Sequence, residues 1–201
     1  SSDVCSSDLN ESWGVPFISV DRRQQEFSQT LYHLLKSFDS TRLVVGNDGW
    51  EMTETDLCAI HNYDHGEKND EKAHAKFRES LSCREELLYT YTAGRKIFVD
   101  GWKDRGQPVL LTEFGGISIA EQDDKAWGYT CIRDGAELEK EYERILDAIC
   151  ASDSIAGFCY TQLADVEQET NGLLTCDRVP KIRTEIIRKI NDRVNKKRIR
   201  I

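Results

Sequence analysis

The 201-residue chain carries 36 acidic residues against 27 basic ones, a formal net charge of −9, and is 39% hydrophobic and 31% charged. That balance suits one soluble globular domain, or most of a larger one, and argues against nucleic acid or an anionic membrane as a partner. No apolar run nears the roughly 18 residues that a membrane helix needs. None of the seven cysteines forms a C-x-x-C pair, so zinc and dithiol sites lack support. Cys58, Cys150 and Cys159 stand among apolar residues and read as small hydrophobes, which favours reduced thiols and a cytoplasmic location.

Residues 1–9 match the translation of a common sequencing-library adapter, with a native Ser-rich linker as the alternative. They are set apart from the fold on that account, and the natural protein is expected to begin upstream of Asn10. Residues 13–20 read as a loop. Asp21 is placed to cap a helix, with Gln24 as the second half of a capping box. Phe27, Leu31, Leu34, Leu35 and Phe38 follow at helical spacing as a stripe for a sheet, which leaves His33 and Lys36 solvated.

Residues 42–46 read as a buried strand ending at Asn47-Asp48-Gly49-Trp50, and residues 56–60 as a second ending at His61-Asn62-Tyr63. Residues 64–82 form a charged excursion with a helix from Asp70, and residues 82–105 fit no element well. The stretch from Gly106 to Gly116 is an apolar strand closed by a Gly-Gly turn, with Glu113 at its carboxyl lip. A polar loop over 121–134 holds Trp127 and Tyr129. A helix over 137–151 carries Leu138, Tyr142, Ile145, Leu146 and Ile149 on one face, and a strand over 155–160 ends at Thr161-Gln162. After an acidic loop with an Asn171-Gly172 turn, Pro180 is placed near the first turn of a last helix presenting Ile182, Ile186, Ile187, Ile190 and Val194. The basic end, 196–200, reads as a solvated helix terminus rather than a phosphate site.

Short buried strands separated by helices imply a parallel sheet with crossovers, and here the polar and aromatic residues gather where strands end. No G-x-G-x-x-G, P-loop or G-x-S-x-G is present. A buried carboxylate such as Glu113 is costly unless paired or used, and Glu11 offers a partner. Two glutamates at separate strand ends, ringed by Trp, Tyr, Asn and His, suit glycoside chemistry.

Three stretches carry a resemblance: Asn10-Glu11-Ser12-Trp13-Gly14, Leu111-Thr112-Glu113-Phe114-Gly115-Gly116, and the long run from Gly157 to Leu173. Together they resemble glycoside hydrolase family 2, in its β-galactosidase-like branch. The resemblance implies an α/β fold, a partial (β/α)8 TIM barrel of about strands four to eight, with strands one to three and β-sandwich domains upstream. It implies Glu11 as acid/base, Glu113 as nucleophile and Tyr63 as a donor to the nucleophile. Asn10 would bind the sugar 2-hydroxyl, and His61, Trp127 and Gln162 would also meet substrate. No metal or cofactor is implied; the partner is a carbohydrate, and the parent could be a homo-oligomer.

Blander readings stand beside these. His61 could be a satisfied core histidine, or pair with His65 on a metal, and Trp127 could be packing. Asp165, Glu167 and Glu169 could meet sugar or a cation, or form a solvated acidic loop. β-Glucuronidases of the family carry an Asn-x-Lys clamp where this chain has Glu169-Thr170-Asn171, so a uronate is disfavoured. β-Galactoside is the leading substrate, with mannoside, arabinoside or galactofuranoside open. A non-catalytic carbohydrate-binding remnant and another two-glutamate barrel family are the rival functions. Three missing strands would leave open sheet edges, so the isolated chain is expected to fold poorly and be inactive, and its parent active.

Overall fold

A computed structural model describes residues 4–6, 9–119 and 128–198. In chain order the elements are β1 (Val4–Ser6), a tight turn at Asn10–Ser12, α1 (Arg22–Phe38), β2 (Leu43–Val45), β3 (Cys58–His61), α2 (Glu71–Ser80), α3 (Arg84–Tyr89), β4 (Val109–Glu113), β5 (Ile117–Ile119), β6 (Thr130–Ile132), α4 (Gly135–Ala151), β7 (Ile155–Phe158) and α5 (Thr184–Arg198). They form two compact units. The first comprises Ser1–Asn62, Arg84–Glu113 and Ser154–Cys159; the second comprises Tyr63–Cys83, Phe114–Asp153 and Tyr160–Ile201.

In the first unit every strand pairing is parallel. β1 pairs with β2, Gly49 just past β2 bridges to Ile60 of β3, β3 pairs with β4, and β4 with β7. The strands thus lie side by side in chain order. Val44, Val45, Cys58, Ala59, Ile60, Val109 and Leu111 are all buried, the near-continuous apolar pattern of strands covered on both faces. Leu9, Val15, Ile18 and Val99 form a further apolar cluster with Leu31 and Trp102 packed on it, and this cluster anchors both flanks of the Asn10–Ser12 turn.

The stretch set apart at the N-terminus takes part in this unit: Val4–Ser6 supplies β1, and Leu9 is buried. A parallel ladder asks only for extended backbone there. The second strand lies two residues later than expected, which draws His61 into β3. Residues 82–105 contain α3, and Arg84 Nε donates to Asp104 at 2.7 Å from that helix.

Helix α1 starts where expected, with Asp21 accepting from Arg23 N, but Gln24 accepts from Phe17 N instead of closing a capping box. Its inward face also differs from the expected apolar stripe. Phe27, Leu34 and Phe38 are exposed, while Ser28 and Tyr32 are buried and Lys36 is half-buried. The cause is the polar character of what they meet. Ser28 Oγ lies 3.0 Å from Thr53 Oγ1, Tyr32 donates to Asp56 at 2.7 Å, and Lys36 donates to Asp56 at 3.0 Å and to the Arg42 carbonyl at 2.8 Å. Satisfying Asp56 outweighs burying a few aromatic carbons. Cys159 is exposed rather than packed, whereas burial holds the Cys58 thiol up at about 12.

In the second unit, Asp70 caps α2 as its sequence suggests, accepting from Ala73 N at 2.9 Å. The loop expected over 121–134 contains β6, which pairs in parallel with β5; Thr130 and Ile132 are buried and Cys131 exposed, the alternation of a half-buried strand. Asp134 caps α4, which begins at Gly135, two residues ahead of the expected start. Leu138, Tyr142, Ile145, Leu146 and Ile149 are buried as read from the pattern, and Tyr142 donates to Asn191 of α5 at 2.8 Å. Pro180 stands four residues before α5 and pairs in a bridge with Leu174, so it does not open that helix. Among the described residues no helix is long and apolar enough to cross a membrane.

Leu111 sits in the middle strand of the three-stranded ladder and is 2% exposed, so Leu111→Ala is expected to cost about 2–5 kcal/mol in urea unfolding. Phe38→Ser, on the exposed face of α1, is expected to change stability by about 0.5 kcal/mol or less.

Candidate active site

Glu11 and Ser12 both adopt left-handed backbone, at φ +51° and +58°. Outside glycine that conformation costs about 1–2 kcal/mol per residue, so the turn must be held from outside. Glu11 N donates to the Asp48 carbonyl at 2.9 Å. Ser12 N donates to the Leu9 carbonyl at 3.0 Å and also faces Asn47 Oδ1, and Ser12 Oγ donates to Glu51 at 2.7 Å. Asn47 Nδ2 in turn donates to Ser12 Oγ and to the Trp50 carbonyl. Glu51 is buried, and Arg95 answers its charge at 2.9 Å. Each buried polar group in this knot has a partner, which is what allows it to fix a strained turn. Trp13 Nε1 donates to the second carboxylate oxygen of Glu11.

Glu113 ends β4, and a shift in the ladder between Ile60 and His61 sets His61 directly opposite it. A register irregularity of this kind re-aims a side chain at the end of a strand. The His61 ring then lies among three carboxylates. Nδ1 is 3.0 Å from Glu11 Oε1 and 3.3 Å from Glu113 Oε2, and Nε2 is 3.2 Å from Asp48 Oδ1. Thr112 Oγ1 donates to that same Asp48 oxygen at 2.5 Å, and the Trp50 ring stands edge-on to the imidazole at 5.7 Å. The His61 side chain is fully buried, while those of Glu11, Asp48 and Glu113 are about three-quarters covered.

Burial alone would push the His61 pKa down, but the Asp48 hydrogen bond, the Glu113 charge and the Glu11 hydrogen bond together raise it. Burial likewise works against the Asp48 carboxylate, and hydrogen bonds from His61 and Thr112 hold its pKa below the usual value. Both ring nitrogens face carboxyl oxygens, and the imidazolium, a donor at both positions, suits that arrangement. Glu11, His61 and Glu113 also offer one ligand atom each within 4.8 Å of one another, a spacing open to a divalent ion.

Asn10 is exposed on the Glu11 turn. Tyr63 belongs to the second unit, its ring stacked flat on Tyr129 at 3.8 Å. Gln162, also in the second unit, donates to Glu169 at 3.0 Å and to Asn171 at 2.7 Å. Trp127 lies outside the described residues. His65 Nε2 meets the Gly115 carbonyl at 2.8 Å and burial lowers its pKa, so its partners are backbone rather than those of His61. Asp48, Thr112 and Glu51 were not singled out from sequence. Asp48 had one legible signal, its place at the end of a buried strand.

No protein-family model matches the chain, and no curated protein does. Solved structures share its fold at low identity. A β-glucuronidase of Faecalibacterium prausnitzii is 17% identical with a TM-score of 0.57, over 96% of this chain and 31% of that one. The agarase AgWH50C is 14% identical with a TM-score of 0.55, over 86% and 25%. A GH2 β-galacturonidase from Eisenbergiella tayi bound to galacturonate is 14% identical with a TM-score of 0.51, over 89% and 31%. The chain spans about a quarter to a third of the length of these proteins, and the likeness is one of fold.

The raised pKa of His61 fixes the sign of a pH effect. Its contribution to stability is fully present below the unfolded value of about 6.5 and is lost as pH rises through the folded value. Unfolding free energy, measured from pH 6 upward, is expected to fall over that window in the native protein and to be flatter in His61→Gln. Equal slopes in the two proteins would contradict the assignment.

Proposed function

We propose that the chain is part of a retaining exo-β-glycosidase of the glycoside hydrolase family 2 type. Glu113 attacks the anomeric carbon while Glu11 protonates the leaving oxygen. Glu11 then takes a proton from water as the glycosyl-enzyme bond to Glu113 is hydrolysed. The observation that carries this reading is the convergence of the two side chains, with an oxygen of each within 4.8 Å. Retaining enzymes hold their carboxyl groups about 5–5.5 Å apart, whereas inverting ones need about 6.5–9.5 Å to admit a water.

The run of parallel strands in chain order supports the barrel reading, with β2, β3, β4 and β7 as strands five to eight. Glu11, Asp48, His61 and Glu113 stand after or at the carboxyl ends of β1, β2, β3 and β4, where such barrels keep their chemistry. Within this reading Asn10, on the same turn as Glu11, binds the 2-hydroxyl. A neutral sugar, β-galactoside first, fits the loop after Gln162 better than a uronate. Lys181 does reach that loop, but its ammonium is spoken for by Asp165 and the Thr170 carbonyl, both at 2.7 Å.

The intact protein that carries this chain is expected to hydrolyse at least one member of a panel of nitrophenyl β-glycosides, furanosides included. Glu113→Gln is expected to abolish turnover. Glu11→Ala is expected to slow it by about 10²–10⁴-fold, least for the most acidic leaving groups. A well-folded protein inert towards the whole panel would overturn the reading.

A further inference from the structure

The two-glutamate mechanism leaves one carboxylate of the site without a task. Asp48 is held by Thr112 at 2.5 Å and meets His61 Nε2 at 3.2 Å, while the opposite edge of the same ring faces Glu11 and Glu113. A buried imidazole without an anion at Nε2 would tend to lose its charge, and that nitrogen would lose the partner that holds its edge of the ring.

We propose that Asp48 is a positioning residue, which through His61 keeps one N–H aimed at Glu11 and Glu113 together and so sets the charge between the two carboxylates. Its consequence for rate rests on the glycosidase reading; the geometry does not. The groups that face this ring are few. Glu11 comes from the Asn10–Ser12 turn, Asp48 from the end of β2, and Glu113 from β4. Trp50 adds a ring edge, Arg95 stands over the Trp50 ring at 6.0 Å, and the Cys159 thiol past β7 feels the charges of Glu113 and Asp48. Asp48 is the one carboxylate of the three that meets Nε2. It meets the ring at the nitrogen that neither Glu11 nor Glu113 faces.

The test is the titration of His61 in the intact protein, read from the ring resonances of selectively labelled histidine and assigned with His61→Gln. In the native protein the midpoint is expected to lie above the usual histidine value. Asp48→Asn is expected to lower the midpoint by about one unit or more, the usual effect of losing an opposite charge at this range. Asp48→Glu, which keeps the charge, is expected to restore most of that shift. The alkaline limb of kcat/KM is expected to move down with the midpoint. A native midpoint at or below the usual histidine value, an unmoved midpoint in Asp48→Asn, or an equal fall in the Asn and Glu variants would overturn the proposal. Shifted midpoints in a protein that cleaves no glycoside would uphold the positioning role and remove the glycosidase reading instead.

Discussion

The imidazole of His61 is shut off from solvent and has carboxyl oxygens at each nitrogen, and this one cluster sets the demands that the first unit meets. Three like charges close together repel unless a cation or shared proton lies among them, and in a covered site that repulsion is strong. The ring supplies the compensation, so the carboxylates can converge. Convergence in turn requires the ends of β2, β3 and β4 and the Asn10–Ser12 turn to stand at fixed heights. The parallel ladder, with its irregularity at Ile60 and His61, sets the heights of the strands, and the Glu11 N to Asp48 carbonyl bond sets that of the turn.

The turn is the costliest part of the arrangement. Two consecutive non-glycine residues in left-handed backbone are stable only because the surroundings determine them. Ser12, Asn47, Glu51 and Arg95 form a connected set of hydrogen bonds that ends in an ion pair with a buried carboxylate, and Leu9, Val15, Ile18 and Val99 grip the chain on either side. A site residue held by a rigid buried shell is placed with the precision that bond-making chemistry needs. Strain at Glu11 and order at Ser12 are two sides of one device.

Much of this was legible in the residues. The apolar runs that became β2, β3, β4 and β7, the caps Asp21 and Asp70, and the face of α4 followed from periodicity and end signals. The α1 stripe misled because Asp56, a strand away, recruits Tyr32 and Lys36, and a long-range polar demand leaves no trace in helical spacing. β6 escaped notice since three residues of Thr, Cys and Ile carry too little pattern to stand out from a polar loop. At the site, Glu11, Glu113 and His61 were each visible as polar residues at expected strand ends. The joint role of His61 and Asp48 was not visible. It depends on a ladder shift and on contacts between residues 13, 50 and 64 positions apart, which a sequence read in order cannot supply.

The account comes down to which side chain bonds to the sugar. A 2-deoxy-2-fluoro β-glycoside with a good leaving group slows breakdown of the glycosyl-enzyme more than its formation, so the intermediate accumulates on a retaining enzyme. The intact protein would be incubated with such a reagent and its labelled peptide sequenced by mass spectrometry. The account predicts a single label on Glu113, within the peptide Leu111-Thr112-Glu113-Phe114. A label on another carboxylate, or steady turnover of glycosides with inversion and no label at all, would contradict it.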